Sequence, residues 1–159
     1  MTQPSRLRDL IRRLDQHGIQ FVLVGGLAVN AWGHLPGTRD LDIVPDPGSE
    51  NLERLASLLE GIGGRVEALE GRLAPSAIRT FLKAGDRTLV STDLGLVDVL
   101  QGLPQVPRYA ELSGRAVAVD LEGVTVRVCS LEALLEMKRA SSRPLDRDDV
   151  EALEEANRR

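Results

Sequence analysis

The sequence predicts an α+β fold in which helices pack on a mixed β-sheet. Three observations point there. Short β-branched apolar runs alternate with segments of helical periodicity. A glycine pair, Gly25-Gly26, separates the first such run from a helix, and two runs flanking Glu122-Gly123 read as a hairpin.

In chain order, Leu7, Leu10, Ile11 and Leu14 share one face of a helix over residues 5–17, closed by His17-Gly18. Residues 19–24 (Ile-Gln-Phe-Val-Leu-Val) form a buried strand, and 26–33 a helix. After the turn at 34–37, a strand over 40–44 stops at Pro45-Asp46-Pro47-Gly48. Ser49 is positioned to cap a helix over 50–60, whose Leu52, Leu55, Leu58 and Leu59 face the core. Further elements are a strand at 65–69, a short helix at 76–83, and strands at 88–92 and 96–100. The hairpin 115–121/124–128 precedes a helix over 131–141 capped by Ser130, and Asp146 caps a last helix running to 157. No repeat or linker interrupts the chain, so a single domain is expected over 1–159, with a core at about 15–128 and a helical segment at 130–157.

Composition narrows the function. A hydrophobic fraction of 42% and a charged fraction of 28% are those of a soluble globular protein. Net charge is −4, so there is no global attraction to nucleic acid, and 3% aromatics leave few stacking platforms. Arg6, Arg8, Arg12 and Arg13 cluster in the first helix, and read first as its solvated face. Cys129 reads as a small core residue, since one cysteine forms no internal disulfide. No apolar stretch reaches the ~18–20 residues of a membrane helix, so a cytoplasmic location and no membrane partner are expected.

The candidate site lies around the glycines. Gly25 and Gly26 let the backbone turn without a Cβ in the way, and a helix opening there offers unpaired N–H groups to phosphate. Asp40 and Asp42 are two apart on a strand-like run, which puts both side chains on one face. Paired carboxylates repel, and a divalent metal is the usual relief. Asp98 sits in another apolar run, where a charge without a partner is costly. Aligned beside Asp40 and Asp42, it would complete a three-carboxylate centre for two Mg²⁺ ions, with Mn²⁺ as the substitute. Asp93 is a second candidate for the third carboxylate, although its place before Gly95 favours a turn role. His17 and His34 read as helix-end and loop residues, and Trp32 and Tyr109 as core or pocket wall.

A glycine pair, a helix, a D-x-D and a later single Asp on a neighbouring strand resemble the nucleotidyltransferase superfamily of DNA polymerase beta. Within it, the chain looks like minimal bacterial nucleotidyltransferases related to the type IV abortive-infection (AbiE-like) toxins. The tail carries that family's Lys-x4-Arg-x2-Asp ending in Lys138, Arg143 and Asp146. The resemblance implies a nucleotidyltransferase fold and transfer of a nucleoside monophosphate from an NTP to a hydroxyl on RNA, protein or a small molecule. It implies that Gly25, Gly26 and Thr38 hold the triphosphate, that Asp40 and Asp42 bind both metals, and that Asp98 completes the nucleophile-side metal and helps deprotonate the acceptor. Lys138 and Arg143 would stabilise phosphate charge; a solvated helix lysine, and a surface Arg143–Asp146 pair with a helix cap, are the alternatives. The family's Arg-x-Thr-x-Asp stretch reads Pro36-Gly37-Thr38-Arg39-Asp40 here, so the first arginine is missing. A nucleotide- or partner-binding module without turnover is the second reading, and a toxin with a cognate antitoxin the third.

Overall fold

The computed structural model describes residues 3–32, 40–121, 123–141 and 144–158. Thr38 and Arg143, like His34 and Arg39, lie outside the described residues. The described chain runs α1 (Gln3–Gln16), β1 (Phe21–Val24), α2 (Gly25–Ala31), β2 (Leu41–Pro45), α3 (Ser49–Gly61), β3 (Arg65–Ala68), β4 (Gly71–Arg72) and α4 (Ala77–Ala84). It continues through β5 (Thr88–Thr92), β6 (Gly95–Val99), α5 (Tyr109–Arg115), β7 (Val117–Leu121), β8 (Val124–Val128), α6 (Leu131–Ala140) and α7 (Pro144–Ala156). All the described strands join one eight-stranded mixed sheet in the order β4-β3-β5-β6-β2-β1-β8-β7, so the fold is α+β as the sequence predicts.

The most apolar strands are central. Val22, Leu23 and Val24 of β1, Leu41 and Ile43 of β2, and Val97 and Val99 of β6 are buried between helices. β2 runs antiparallel to β1 and parallel to β6, which is why these runs lack polar interruption apart from Asp42 and Asp98. Leu10, Ile11 and Leu14 of α1, and Leu55, Leu58 and Leu59 of α3, complete the core on the faces their spacing predicts. Among the described residues no helix is long and apolar enough to cross a membrane.

Several expectations are corrected. Gly48, not Ser49, is the N-cap of α3, without a side-chain cap; the turn before it is held by Gly48 N–H donating to Asp46 Oδ1 at 2.9 Å. α7 starts at Pro144, so Asp146 lies inside its first turn instead of capping it. Helix α5 and the two-residue β4 are additional elements. Ser130 does cap α6, its Oγ accepting from Ala133 N–H at 3.1 Å. Asn51 of α3 is 4% exposed and pins two strand ends to that helix. Its Oδ1 accepts from Gln20 N–H at 2.8 Å, and its Nδ2 donates to the carbonyls of Gln20 and Asp46 at 2.9 Å each.

Candidate active site

The strand register brings Asp42 and Asp98 side by side: they are direct Cα partners across the parallel β2–β6 pair. In-register residues of paired strands project to the same face, while Leu41 and Ile43 point the opposite way into the core. On the other edge of β2, Val24 is the partner of Asp42, and Gly25 follows immediately. The glycine pair therefore stands against the carboxylate. A Cβ built on Gly25 would fall 1.9 Å from Asp42 Oδ2, and Gly25 has φ +69°, a backbone region that side chains disfavour. Gly26 donates its backbone N–H to the Asp42 carboxylate. The glycines thus admit and hold Asp42, a service beyond the phosphate role expected of them from the sequence.

Charge accumulates here. The Asp42 carboxyl is pushed up from 3.8 to about 6, chiefly by burial, then by the charges of Asp98 and Asp40. The Gly26 N–H and the charge of Lys138 favour the ionised form but do not prevail. Asp40 is exposed, just ahead of β2, and near enough for its charge to act on Asp42.

Asp98 is 15% exposed at its side chain and has a partner the sequence did not reveal. Arg87, immediately before β5, grips both its oxygens: Nε donates to Oδ1 at 3.0 Å and Nη2 to Oδ2 at 2.8 Å. The antiparallel β5–β6 pairing, with Leu89 opposite Asp98, brings Arg87 within reach. No spacing motif advertises such a pair; only the hairpin register would have found it.

Lys138 is neither a solvated lysine nor turned wholly to the site. Its Nζ lies 2.8 Å from Asp146 Oδ1 and 3.1 Å from Asp149 Oδ2, tying α6 to α7. Asp146 and Asp149 are 1% and 2% exposed, which corrects the surface reading of Asp146. Asp93 lies in the β5–β6 turn, against Gly63, away from Asp98. His17 Nδ1 bonds the carbonyl of Arg13 at 2.8 Å, as befits a helix-end residue. Trp32 is half-buried, its Nε1 donating to the Cys129 carbonyl at 3.1 Å. Cys129 is a buried free thiol whose pKa burial pushes up to about 12, an inert core position.

Asp40, Asp42 and Asp98 present hard oxygen donors with a surplus of negative charge, the chemistry that suits Mg²⁺ or Mn²⁺. Among the described residues, however, no three His, Cys, Asp or Glu side chains close into a metal-holding group. Asp98 faces Arg87 instead.

The mixed eight-stranded sheet flanked by helices is a nucleotidyltransferase fold, as its likeness to solved structures shows. The chain is similar to the lincosamide antibiotic adenylyltransferase LnuA bound to lincomycin (TM-score 0.67, 16% identity, 96% of this chain and 97% of that one). It is also similar to ANT(2")-Ia in complex with adenylyl-2"-tobramycin (TM-score 0.63, 19% identity, 98% and 90%). A third likeness is to a proposed nucleotidyltransferase from Thermotoga maritima (TM-score 0.58, 19% identity, 98% and 94%). No curated protein sequence matches the chain. Residues 3–159 match the family described as nucleotidyl transferase of unknown function (DUF2204), and the chain belongs to that family.

Proposed function

We propose that the chain is a divalent-cation-dependent nucleotidyltransferase that moves a nucleoside monophosphate from an NTP to a hydroxyl acceptor. The observation that carries this reading is the in-register Asp42–Asp98 pair beside Gly25-Gly26. Family membership supports the reaction class. The lincosamide antibiotic adenylyltransferase and the adenylyl-2"-tobramycin complex among the similar structures support a small hydroxyl-bearing acceptor, ahead of RNA or protein.

Asp40, Asp42 and Asp98 would hold the cations, which supply Lewis-acid polarisation of phosphate oxygens and neutralise developing charge. The remaining work falls to the protein. Gly25 keeps the Asp42 carboxylate close to the start of α2, and Gly26 N–H fixes its orientation. Asp98 takes the proton of the acceptor hydroxyl as its oxygen bonds to the α-phosphorus; the α–β P–O bond breaks and pyrophosphate leaves. Thr38 and Arg143 belong to this reading as triphosphate contacts from the sequence resemblance alone. Lys138 acts at a distance, its positive charge favouring the ionised form of Asp42. Packing of α2 against α6, and α6 against α7, supports treating 1–159 as one unit.

A nucleotide-binding module without turnover is favoured by one observation: Arg87 already occupies both oxygens of Asp98. The AbiE-like toxin reading, with its antitoxin partner, rests on family resemblance, and a cytoplasmic location on the lack of a membrane-length apolar stretch. Lys138 and Asp146 of the tail are joined in a buried ion pair. Incubation with α-labelled NTPs, Mg²⁺ and a panel of aminoglycosides, lincosamides, RNA and protein separates these readings. Transfer of label by the wild type, lost in Asp42→Asn, supports the enzyme; bound but untransferred nucleotide across the panel supports the module.

A further inference from the structure

The guanidinium of Arg87 makes a two-point contact with Asp98, donating from Nε at 3.0 Å and from Nη2 at 2.8 Å. Both carboxylate oxygens are thereby engaged, in the fork geometry that arginine and carboxylate share. Each oxygen accepts one of these bonds and keeps a second lone pair, so what opposes an incoming proton or cation is the positive charge and bulk of the guanidinium. A divalent cation on the same carboxylate would stand close beside the guanidinium, and the two positive charges repel. The charge of Arg87 also reaches Asp42, so one guanidinium answers both members of the carboxylate pair. Half of the Arg87 side chain is exposed, against 15% for Asp98. The arginine is therefore the mobile partner: its head can move into water, whereas Asp98 is fixed within β6.

Resting on the nucleotidyltransferase reading, we propose that Arg87 is a positioning residue that stands on Asp98 in place of a divalent cation. Guanidinium and cation compete for the same two oxygens, and Arg87 has to leave before Asp98 serves in transfer. In the cation-free protein, Arg87 holds Asp98 aligned beside Asp42. On loading, it releases a preformed carboxylate and carries its own positive charge to the rim of the site. A purely structural arginine predicts the opposite: removing it would loosen Asp98 and weaken the site.

Mn²⁺ titration of the nucleotide-free full chain, read by the electron paramagnetic resonance of free Mn²⁺, distinguishes these. Arg87→Gln should bind Mn²⁺ roughly 3–10-fold more tightly than wild type, since an ion pair of this exposure competes only modestly. Arg87→Lys, which keeps the charge but loses the fork, should fall between them, and it carries the test if the glutamine variant does not fold. Affinity unchanged or lowered in both variants overturns the proposal while leaving the cation site standing. Mn²⁺ binding by wild type no better than by Asp42→Asn would instead overturn the metal reading, and the proposal with it. A second readout needs no variant: the Nε–H resonance of Arg87 should shift as Mg²⁺ is added, and an unmoved signal at saturating Mg²⁺ contradicts the exchange.

Discussion

Asp42 is held against its own charge. Its carboxyl titrates near 6 instead of 3.8 because burial and the neighbouring Asp98 and Asp40 favour the protonated form. For an acid with a raised folded pKa, the native state binds protons more readily than the unfolded chain. Stability therefore falls as pH rises from about 3.8 to about 6, and the full penalty, roughly 3 kcal/mol, persists above that. Asp42→Asn should stabilise the cation-free protein by roughly 1–3 kcal/mol at pH 7.5, with the gain vanishing below pH 4. Urea unfolding of both proteins in EDTA at the two pH values checks this; an equal gain at both would mean that the charge is not the cause. Gly25 is the complementary case. Gly25→Ala meets Asp42 Oδ2 and a φ of +69°, so it should cost about 1–3 kcal/mol and weaken Mn²⁺ binding together. Stability lost with Mn²⁺ affinity intact would show that the glycine serves the turn and not the carboxylate.

Elements are joined by polar contacts that no local pattern announces. Lys138 links α6 to Asp146 and Asp149 of α7, and replacing one side of a buried ion pair leaves uncompensated charge. Lys138→Met should destabilise the protein by about 3–5 kcal/mol. It should also push the Asp42 carboxyl further up, by removing a charge that favours its ionised form. Thermal melting and a ¹³C carboxyl titration of Asp42 read the two effects; a stability change alone would separate Lys138 from the site. Asn51 joins α3 to the entry of β1 and the exit of β2 through three hydrogen bonds. Asn51→Ala leaves those backbone groups short of partners and should cost about 1–3 kcal/mol, measured by chemical denaturation. Loss below ~0.5 kcal/mol would mean that water replaces the side chain.

At the scale of the whole molecule, legibility followed period and ended at register. β1, β2 and β6 were readable because β-branched runs bounded by glycine and proline leave few alternatives. The carboxylates Asp42 and Asp98 stood out because each interrupts such a run. That they are neighbours is only a condition at the level of the sequence, since nothing local says that β6 pairs with β2. Arg87 was invisible for the same reason: its contact depends on where the β5–β6 hairpin stops. Helix α5 was missed because only Leu112 of its residues is buried, too little to show a period. The ion pairs of Lys138 belong to neither reading open in the sequence, a phosphate contact or a solvated lysine, because spacing across a helix–helix turn does not give the packing of α6 on α7.

The most direct test of the centre needs no knowledge of the acceptor. Isothermal titration of ATP, GTP, CTP and UTP into the wild type should give binding for at least one nucleotide with Mg²⁺ present, and none with EDTA. The same nucleotide should lose at least about tenfold in affinity in Asp42→Asn, consistent with the loss of a cation-anchoring carboxylate. Nucleotide binding that ignores both Mg²⁺ and Asp42→Asn would contradict a catalytic centre built on the Asp42–Asp98 pair.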